Sequence, residues 1–533
     1  MIGKDSAVPL LQAVAEVPEE AMHRDLVRLQ AAEFLYETSV HATPVYTFTH
    51  VLTHEVTYQS LVRHVRQQYH GRIAQVLAAQ FPEVAQTQPA VLARHYTEAG
   101  LAAQALPYWQ RAGQQALEHS ANREAVQHLT TALALLATLP DTPARAQQEL
   151  AMQLALGPAM MATTGPGAPE VVQTYARARA LGAQVGEAPQ GLPTLWGLWR
   201  LSQSRGALPT ARELAEQLVR VAARTGDPTH RVQAHDALGA TLFQLGAYAA
   251  ARRQFAQALV LCDPTTQRAQ ALHNVAAPGV RCLVVGANAL WCLGFPTQAV
   301  QRCQEALALA QALAHPYSLV VAQHFAAFLH CHRREVPAVR AQAEALLALA
   351  TAQGFPLYAG YGHGWRGWAR AMQGAGAAGL AEMQQGLTLV VAAGQELARP
   401  LWLVRLGEAA GHVGQVAEGR RLLAEALAAF AASGRGDLLA EAHRLQGEVW
   451  LRQRPPETAQ ADACFQQALA IARQQQARSW ELRAALSLSR LWQQQGKWAE
   501  AHELLAPVYG WFTEGFDTAD LQEAKALLEE LAR

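Results

Sequence analysis

Lysine is scarce in this chain of 533 residues, because Lys4, Lys497 and Lys525 are the only lysines among 43 basic residues. A phosphate-binding P-loop needs the pattern GxxxxGK[ST], in which the lysine reaches the terminal phosphates and the hydroxyl group reaches magnesium. Lys4 precedes Asp5, Lys497 precedes Trp498, and Lys525 has no glycine before it. The sequence therefore contains no P-loop.

Other classes of chemistry are excluded by what is missing. The six cysteines include no CxxC pair, which argues against a zinc cage or a redox dithiol. The 43 acidic residues cancel the 43 basic ones, so no bulk charge favours nucleic acid or an anionic membrane. The longest nearly apolar stretch, 282–295, is too short to span a bilayer. The N-terminus lacks a signal-peptide pattern. We expect a cytoplasmic protein with no cofactor, no metal ion and no membrane partner, and nucleic acid is disfavoured.

What is present is a helical pattern. Ala, Leu, Gln, Glu and Arg dominate, and apolar residues recur every three or four positions, as in ARELAEQLVRVAAR. Short stretches rich in glycine and proline, such as DPTT and GFPTQ, mark turns. Strand-like alternation is clear only at residues 45–49. The pattern predicts an all-α fold.

A repeat recurs along the chain: a glycine is followed five positions later by a small residue. The glycine permits a tight turn, and the small residue lets two helices approach closely. The pairs are Gly100/Ala105, Gly206/Ala211, Gly246/Ala251, Gly294/Ala299, Gly374/Gly379, Gly414/Gly419 and Gly496/Ala501. The copy LGATLFQLGAYAAARRQFAQAL matches the tetratricopeptide (TPR) pattern, although the period is about 40 rather than the usual 34 residues. A HEAT array has a similar period, but the register of glycine and alanine favours TPR. The repeat predicts a right-handed TPR-like α-solenoid.

Irregular copies follow the same scheme. Arg333 stands where the turn glycine is expected, with Ala338 five positions later. The eight extra residues between Gly246 and Gly294 are expected to enlarge a loop around 273–279. The final helix, LQEAKALLEELAR, has one polar face and is expected to cap the array.

The first 85 residues do not follow the repeat, and their helices and strand suggest a small winged-helix-like module. The segments IGKDSAVPLLQAVAEVPEEAMHRDLVRLQAAEFLYE and YTFTHVLTHEVTYQSL resemble the region after the nucleotide-binding domain in large bacterial AAA-like/STAND signalling ATPases. Those regulators often begin with an adenylate or guanylate cyclase domain and end in TPR-like repeats. LARHYTEAGLAAQALPYWQRAG and the stretch from FQQALAIARQQQ onward look like their C-terminal half. VHATP and TTGPGAPEV depart from the family pattern.

The resemblance implies a chain that holds the sensor and scaffold half of such a regulator, as a truncated gene or a short reading frame. The ATPase domain, and commonly a cyclase, would lie before the position of Met1. The expected domains are the winged-helix-like module at 1–85, N-terminal repeats and a connecting turn at 86–200, the superhelical array at 201–515, and the cap at 516–533.

Apparent catalytic motifs are weak. His54-Glu55 is followed by Tyr58 where HExxH needs a second histidine. In His330-Cys331-His332, helical geometry points the two histidines about 200° apart, so they do not readily hold one ion. GxGxxG occurs at 362–367 and 374–379 without a preceding strand, and both copies are interpreted as turns between helices. The chain is predicted not to be an enzyme.

The repeat register predicts which residues face a concave binding groove, because the first helix of each TPR pair lines that surface. Aromatic and arginine residues there carry much of the energy of recognition. The candidates are Trp196, Arg200, Trp291, His324, His330, Trp365, Trp368, Arg405, Glu408, His412, Arg483 and Arg490. For each of them, packing between repeats or simple exposure to solvent is the competing interpretation. Trp109 and Trp498 occupy positions expected in the repeat core.

Three functions follow from the sequence. The first is a non-enzymatic module that binds a protein or peptide in the TPR groove. The second is a small-molecule sensor that regulates a nucleotide-binding domain supplied in trans. The third, DNA binding by the winged module, is disfavoured: Arg63, Arg66 and Arg72 lie on a helix whose apolar spacing suggests packing.

Overall fold

The computed structural model describes residues 5–40, 43–185, 191–263 and 265–533. The chain divides into two compact units, Met1–Leu156 and Gly157–Arg533. The domain boundaries expected at 85, 200 and 515 stay predictions.

The N-terminal unit begins with a three-stranded antiparallel sheet. Its strands are β1 (Asp5–Ala7), β2 (Leu35–Val40) and β3 (Thr43–Phe48), in the order β1-β3-β2. Thr47 of β3 lies opposite Asp5 on one side and Tyr36 on the other. Helices α1 (Val8–Ala15) and α2 (Glu19–Ala31) connect β1 to β2. The alternation of residues in the sequence predicted only β3. The strand β1 is three residues long, and it forms because it pairs with β3, which lies far from it in the sequence. The winged-helix assignment stays a prediction.

Six further helices of the unit follow, and a seventh extends past its end. They are α3 (Val51–Ser60), α4 (Arg63–Gln80), α5 (Pro82–Thr87), α6 (Pro89–Glu98), α7 (Ala102–Glu118), α8 (Asn122–Leu136) and α9 (Pro143–Thr164). Two of the arginines considered for DNA binding are engaged within the unit. Arg72 pairs with Glu16 at 2.7 Å, and the Arg66 guanidinium lies over the Tyr58 ring.

The C-terminal unit is built from helical hairpins. After α10 (Pro169–Gln184), the pairs are α11 (Leu192–Ser204) with α12 (Leu208–Thr225), and α13 (Pro228–Gln244) with α14 (Tyr248–Val260). The short α15 (Gln267–Asn274) precedes the remaining pairs. These are α16 (Pro278–Cys292) with α17 (Pro296–Ala312), α18 (Pro316–His332) with α19 (Val336–Gln353), α20 (Pro356–Met372) with α21 (Gly376–Ala392), α22 (Arg399–His412) with α23 (Val416–Ser433), α24 (Leu439–Leu451) with α25 (Thr458–Gln474), and α26 (Arg478–Gln494) with α27 (Trp498–Tyr509). The last helix is α28 (Ala519–Leu531).

Left-handed turn residues set the period of these hairpins. Gly294, Gly374 and Gly414 all have positive φ, as do Gly206, Gly246 and Gly496, so glycine avoids the strain that a side chain would meet there. The small residues five positions on, Ala211, Ala251, Ala299, Gly379, Gly419 and Ala501, are all buried. Gly100 and Ala105 of the N-terminal unit follow the same rule. Apart from the three-stranded sheet of the N-terminal unit, the fold is all-α, and its hairpins form a TPR-like solenoid with a repeat of about 40 residues.

Two details of the predicted register are wrong. The turn residue between α18 and α19 is Arg334, with φ of 64°, rather than Arg333. Val339 is therefore the buried residue five positions on, while Ala338 is partly exposed. In addition, the extra residues between Gly246 and Gly294 form the short helix α15 as well as connecting turns.

The first GxGxxG match is also not a turn. Gly362, Gly364 and Gly367 lie inside α20. A Cβ added at Gly367 would lie 2.7 Å from the carbonyl oxygen of Gly379 on α21. These glycines therefore allow two helix backbones to come close together, and of the second match only Gly374 occupies the turn.

Hairpins distant in sequence also touch each other within the C-terminal unit. The Tyr248 hydroxyl donates to the Asp437 carbonyl oxygen at 2.8 Å, across 189 residues. The Ser479 hydroxyl donates to the Trp291 carbonyl oxygen, across 188 residues. Each contact joins a hairpin to the fifth hairpin after it. The array is thus wound tightly, and much of the inner face formed by the first helices is enclosed.

Candidate functional site

An open groove lies on the inner face of the C-terminal unit, with a volume of about 450 Å³. We call it the ionic groove, because five arginines and five acidic residues line it together with Trp368 and His412. The helices α20, α22, α24, α26 and α28 supply most of these side chains. The charged residues are Arg334, Arg444, Arg452, Arg483, Arg490, Glu408, Glu441, Glu448, Asp520 and Glu523.

Most of these charges are paired, some within one helix and others between helices. Arg483 donates to Asp520 at 2.8 Å and to Glu441 at 3.3 Å, while Arg444 holds Glu441 at 2.7 Å. The Trp368 indole donates to Glu408 at 3.0 Å. Burial alone would raise the pKa of Glu441, but Arg444, Arg483 and Arg405 together lower it to about 2. The ion pairs therefore connect the first helices of the hairpins, and their arginine and carboxylate side chains are charged.

The outermost charges of the groove are cationic. The side chains of Arg334 and Arg490 are each 46% exposed, whereas the most exposed carboxylates, Glu448 and Glu523, are 33% and 30% exposed. Arg452 and His412 are also exposed. The most exposed charges that a partner meets in the groove are therefore guanidinium groups, with Glu448 and Glu523 less exposed beside them.

A second, more enclosed space lies among the first helices of six hairpins. It has a volume of about 100 Å³, and we call it the tyrosine cavity. Its polar and aromatic lining includes Arg200, Gln203, Asn274, Arg281, Tyr317, His324, Tyr358, Tyr361, Gln395, Arg435 and Asp437. The Tyr361 ring stacks on His324 with centroids 4.0 Å apart.

Two of the three arginines in the tyrosine cavity are paired with carboxylates. Arg281 donates to Asp236 at 2.8 and 2.9 Å, and Arg435 donates to Asp437 at 2.6 and 2.8 Å. Arg200 instead donates to the Gln203 amide oxygen at 2.7 Å and lies over the Trp199 ring. Burial, followed by the charge of Arg281, lowers the pKa of Arg200.

The structure brings seven of the twelve predicted groove residues into these two spaces. Trp368, Glu408, His412, Arg483 and Arg490 line the ionic groove. Arg200 and His324 line the tyrosine cavity.

The predicted groove role is wrong for three tryptophans. Trp196, Trp291 and Trp365 are buried in the core. Trp291, for example, packs against the rings of His332 and Trp480, each with centroids 4.6 Å away. The tight winding explains the error, because it covers inner positions that an open TPR array would leave in solvent.

The other two candidates do not face either space. Arg405 is buried behind the groove and donates to Glu408 at 2.9 Å. His330 is partly buried and contacts Glu335 at 2.6 Å. Trp498, expected in a repeat core, is 47% exposed, while Trp109 is partly buried and donates to Thr97.

Sequence reasoning missed most of the charged lining, although the repeat period carried a signal for it. Trp368, Glu408 and Glu448 are spaced 40 residues apart, and Arg405, Arg444 and Arg483 are spaced 39 apart. Extending the period to charged residues would have found these two rows. The pairing across hairpins, and the tyrosines of the cavity, depend on how the array winds.

Within the described part of the chain, no helix is long and apolar enough to cross a membrane. No group of three or more His, Cys, Asp or Glu side chains in those residues is placed to hold a metal ion.

Comparison with known proteins yields distant likenesses. No protein-family model matches the chain. An uncharacterized protein of Rhizobium meliloti (strain 1021) is 24% identical over 497 residues, which cover 92% of this chain and 48% of that protein. The chain thus spans about half the length of the curated relative it matches.

Several solved structures are also similar. A Rap protein complexed with competence and sporulation factor covers 74% of this chain and 99% of its own, at 11% identity and a TM-score of 0.43. A STAND protein with a tetratricopeptide repeat sensor, from Pyrococcus horikoshii, covers 87% of this chain and 74% of its own, at 11% identity and a TM-score of 0.35. The Cut9–Hcn1 hetero-tetramer of the APC/C covers 91% and 99%, at 13% identity and a TM-score of 0.34.

Proposed function

We propose that the protein is a non-enzymatic interaction scaffold whose ionic groove binds an acidic peptide segment of a partner protein. The observation that carries this proposal is that the most exposed charged side chains of the groove are arginines. Arg334 and Arg490 are more exposed than the acids with which they pair, and Arg452 donates to the Gly411 carbonyl oxygen.

The remaining features of the groove suit a peptide. Its volume of about 450 Å³ accommodates a few side chains, and it opens along successive first helices. Arginine residues contribute strongly to binding energy at protein interfaces, and the side chains of Arg334 and Arg490 are each 46% exposed in the groove. Acidic side chains of a peptide would pair with the outer arginines without displacing the buried network.

The test is a fluorescence polarization measurement with labelled peptides of about eight residues, matched in length and differing in charge. An acidic peptide should bind more tightly than its glutamine analogue, and the difference should shrink at high salt because salt screens exposed charges. Equal binding of acidic and basic peptides would contradict the proposal.

A double variant, Arg334→Ser with Arg490→Ser, should lower the affinity for the acidic peptide about tenfold. The matched control is Arg340→Ser on α19, since Arg340 is similarly exposed and also pairs with a glutamate, Glu344, but lies outside the groove. An unchanged affinity in the double variant would show that the peptide binds elsewhere.

We also propose the wider context that the sequence resemblance implies. In that context the chain is the sensor and scaffold half of a signalling regulator, and a nucleotide-binding domain in trans is one of its protein partners. The resemblance of the segments at 2–37 and 46–61 to the region after the ATPase domain supports this proposal. Co-purification with a separately produced ATPase domain encoded beside this chain would test it, and absence of any complex would remove that partner.

A further inference from the structure

The tyrosine cavity differs from the ionic groove in its balance of charge. Asp236 and Asp437 neutralise Arg281 and Arg435, but among the described residues no carboxylate pairs with Arg200. His324 adds no positive charge, because burial and then Arg435 lower its pKa to about 3. The cavity thus carries one cation in excess. Arg200 is partly buried, and a partly buried charge without a counterion is costly, so an anion would relieve that cost.

Unsatisfied polar atoms mark where a ligand would bind. The Nε atom of Arg200 is buried and has no hydrogen-bond partner. The Oε1 atom of Gln395, on a side chain that is 9% exposed, also has none. The first atom needs an acceptor and the second needs a donor. Buried groups of this kind are normally satisfied, so both residues favour a ligand that accepts from Arg200 and donates to Gln395.

The rest of the lining sets the size and the apolar part of that molecule. Tyr358 contacts Tyr317 and Tyr361 with ring centroids 5.1 and 5.5 Å apart. Val321, Phe325, Phe328 and Leu401 add aliphatic and aromatic surface. An apolar cavity of about 150 Å³ holds benzene, so about 100 Å³ suits a molecule of roughly four to six non-hydrogen atoms.

We propose that the tyrosine cavity binds a short-chain carboxylate, with its carboxylate group on Arg200 and its small apolar end among the tyrosines. A hydroxyl group on the second carbon would donate to Gln395. This site is separate from the ionic groove, so each of the two proposals is tested independently of the other. Because six hairpins supply the cavity's side chains, occupancy would brace the winding of the array.

Isothermal titration and thermal unfolding of the full chain test the proposal, with propionate, lactate and phosphate as probes and chloride at equal ionic strength as the reference. Lactate and propionate should bind and raise the unfolding temperature, with lactate the tighter of the two. Phosphate should bind more weakly, since it has no apolar end. Binding of phosphate alone would overturn the carboxylate assignment, and no binding beyond chloride would overturn the site.

Arg200→Met should lower the affinity for lactate and for propionate at least about tenfold, since it removes a charged hydrogen-bond donor. It should also fold, because Arg200 is only partly buried and its contacts in the ligand-free chain are with Gln203 and Trp199. The matched control is Arg212→Met on α12, an exposed arginine paired with Glu216. Unchanged affinity in Arg200→Met would overturn the assignment.

Gln395→Leu gives a second, independent readout. This variant should lose the preference for lactate over propionate and keep propionate binding, because only the hydroxyl contact is removed. Retention of the full lactate preference would show that Gln395 does not contact the ligand.

Discussion

One small side chain decides how closely the two helices of a hairpin approach. Ala251 is fully buried on α14, in the hairpin whose second member follows the turn at Gly246. Phe255, one helical turn further on, fills the space that a Cβ at Gly239 of α13 would occupy. Space around this contact is already taken, so added atoms have nowhere to go.

We therefore expect Ala251→Leu to lower the free energy of unfolding by about 1–3 kcal/mol through overpacking. Hydrogen exchange should become faster at residues 232–262 and stay unchanged near 480–510, since the long-range contact of this hairpin, Tyr248 with Asp437, joins it to a different hairpin. Ala256→Leu is the matched control, because Ala256 lies on the same helix and is exposed. An unperturbed 232–262 segment in Ala251→Leu would mean that the contact tolerates the larger side chain.

At the scale of helices, α20 and α21 show a closer approach than an alanine at the crossing allows. Gly360 and Gly364 on α20 face Gly386 on α21, and Gly367 faces Gly379. Sequence analysis could predict both helices, because their apolar spacing and the turn at Gly374 are local features. It could not predict that the glycines of α20 pack against a second backbone, because that contact depends on how the helices cross.

Gly367→Ala should destabilise the C-terminal unit by about 1–3 kcal/mol, because its methyl group would meet backbone atoms of Gly379 and Met383 at 2.7 Å. Gly182→Ala on α10 is the control, since a Cβ there meets nothing within 4 Å. It should stabilise the protein by about 0.5–1 kcal/mol through the better helix propensity of alanine. Urea unfolding measures both, and equal midpoints for the two variants would contradict this account of the crossing.

At the scale of the molecule, winding converts a groove predicted from sequence into one open groove and one enclosed cavity. The period of about 40 placed Trp368, Glu408 and Arg483 on the inner face without any structure. It could not show that Trp291 meets Trp480, because that contact joins hairpins whose residues are almost 190 positions apart. No local pattern encodes such a distance, since it follows from small rotations summed over five hairpins.

The absence of a P-loop leads to a prediction for the purified chain. It should neither hydrolyse ATP nor form a cyclic nucleotide, because no lysine in the sequence follows the glycine pattern that holds phosphates. Phosphate release and cyclic-nucleotide assays, each compared with a heat-treated sample, measure this. Turnover that persists through every purification step and disappears on heating would contradict the prediction.

Winding also buries histidines in their neutral form, which makes stability depend on pH. Burial, together with a nearby arginine, lowers the pKa of His315 to about 4 and of His324 to about 3 in the folded protein. Burial, with Arg405 and Arg483, also lowers the pKa of His332. In the unfolded chain the histidine pKa is about 6.5, so the unfolded state binds more protons as pH falls below that value.

The contribution of these histidines to the free energy of unfolding should therefore be constant above about pH 7 and decrease below pH 6.5, by about 1.4 kcal/mol per pH unit for each such histidine. Tryptophan fluorescence reports on the C-terminal unit, because eleven of the twelve tryptophans follow Gly157. His324→Gln keeps an acceptor for the Trp365 indole. Between pH 7 and 5, the slope of the unfolding free energy against pH should decrease by about 1.4 kcal/mol per pH unit, because the unfolded state then binds one proton fewer. The control is His502→Gln on α27, where the histidine is partly exposed. If His324→Gln leaves the slope unchanged, or if His502→Gln flattens it equally, buried neutral histidine at position 324 is not the cause.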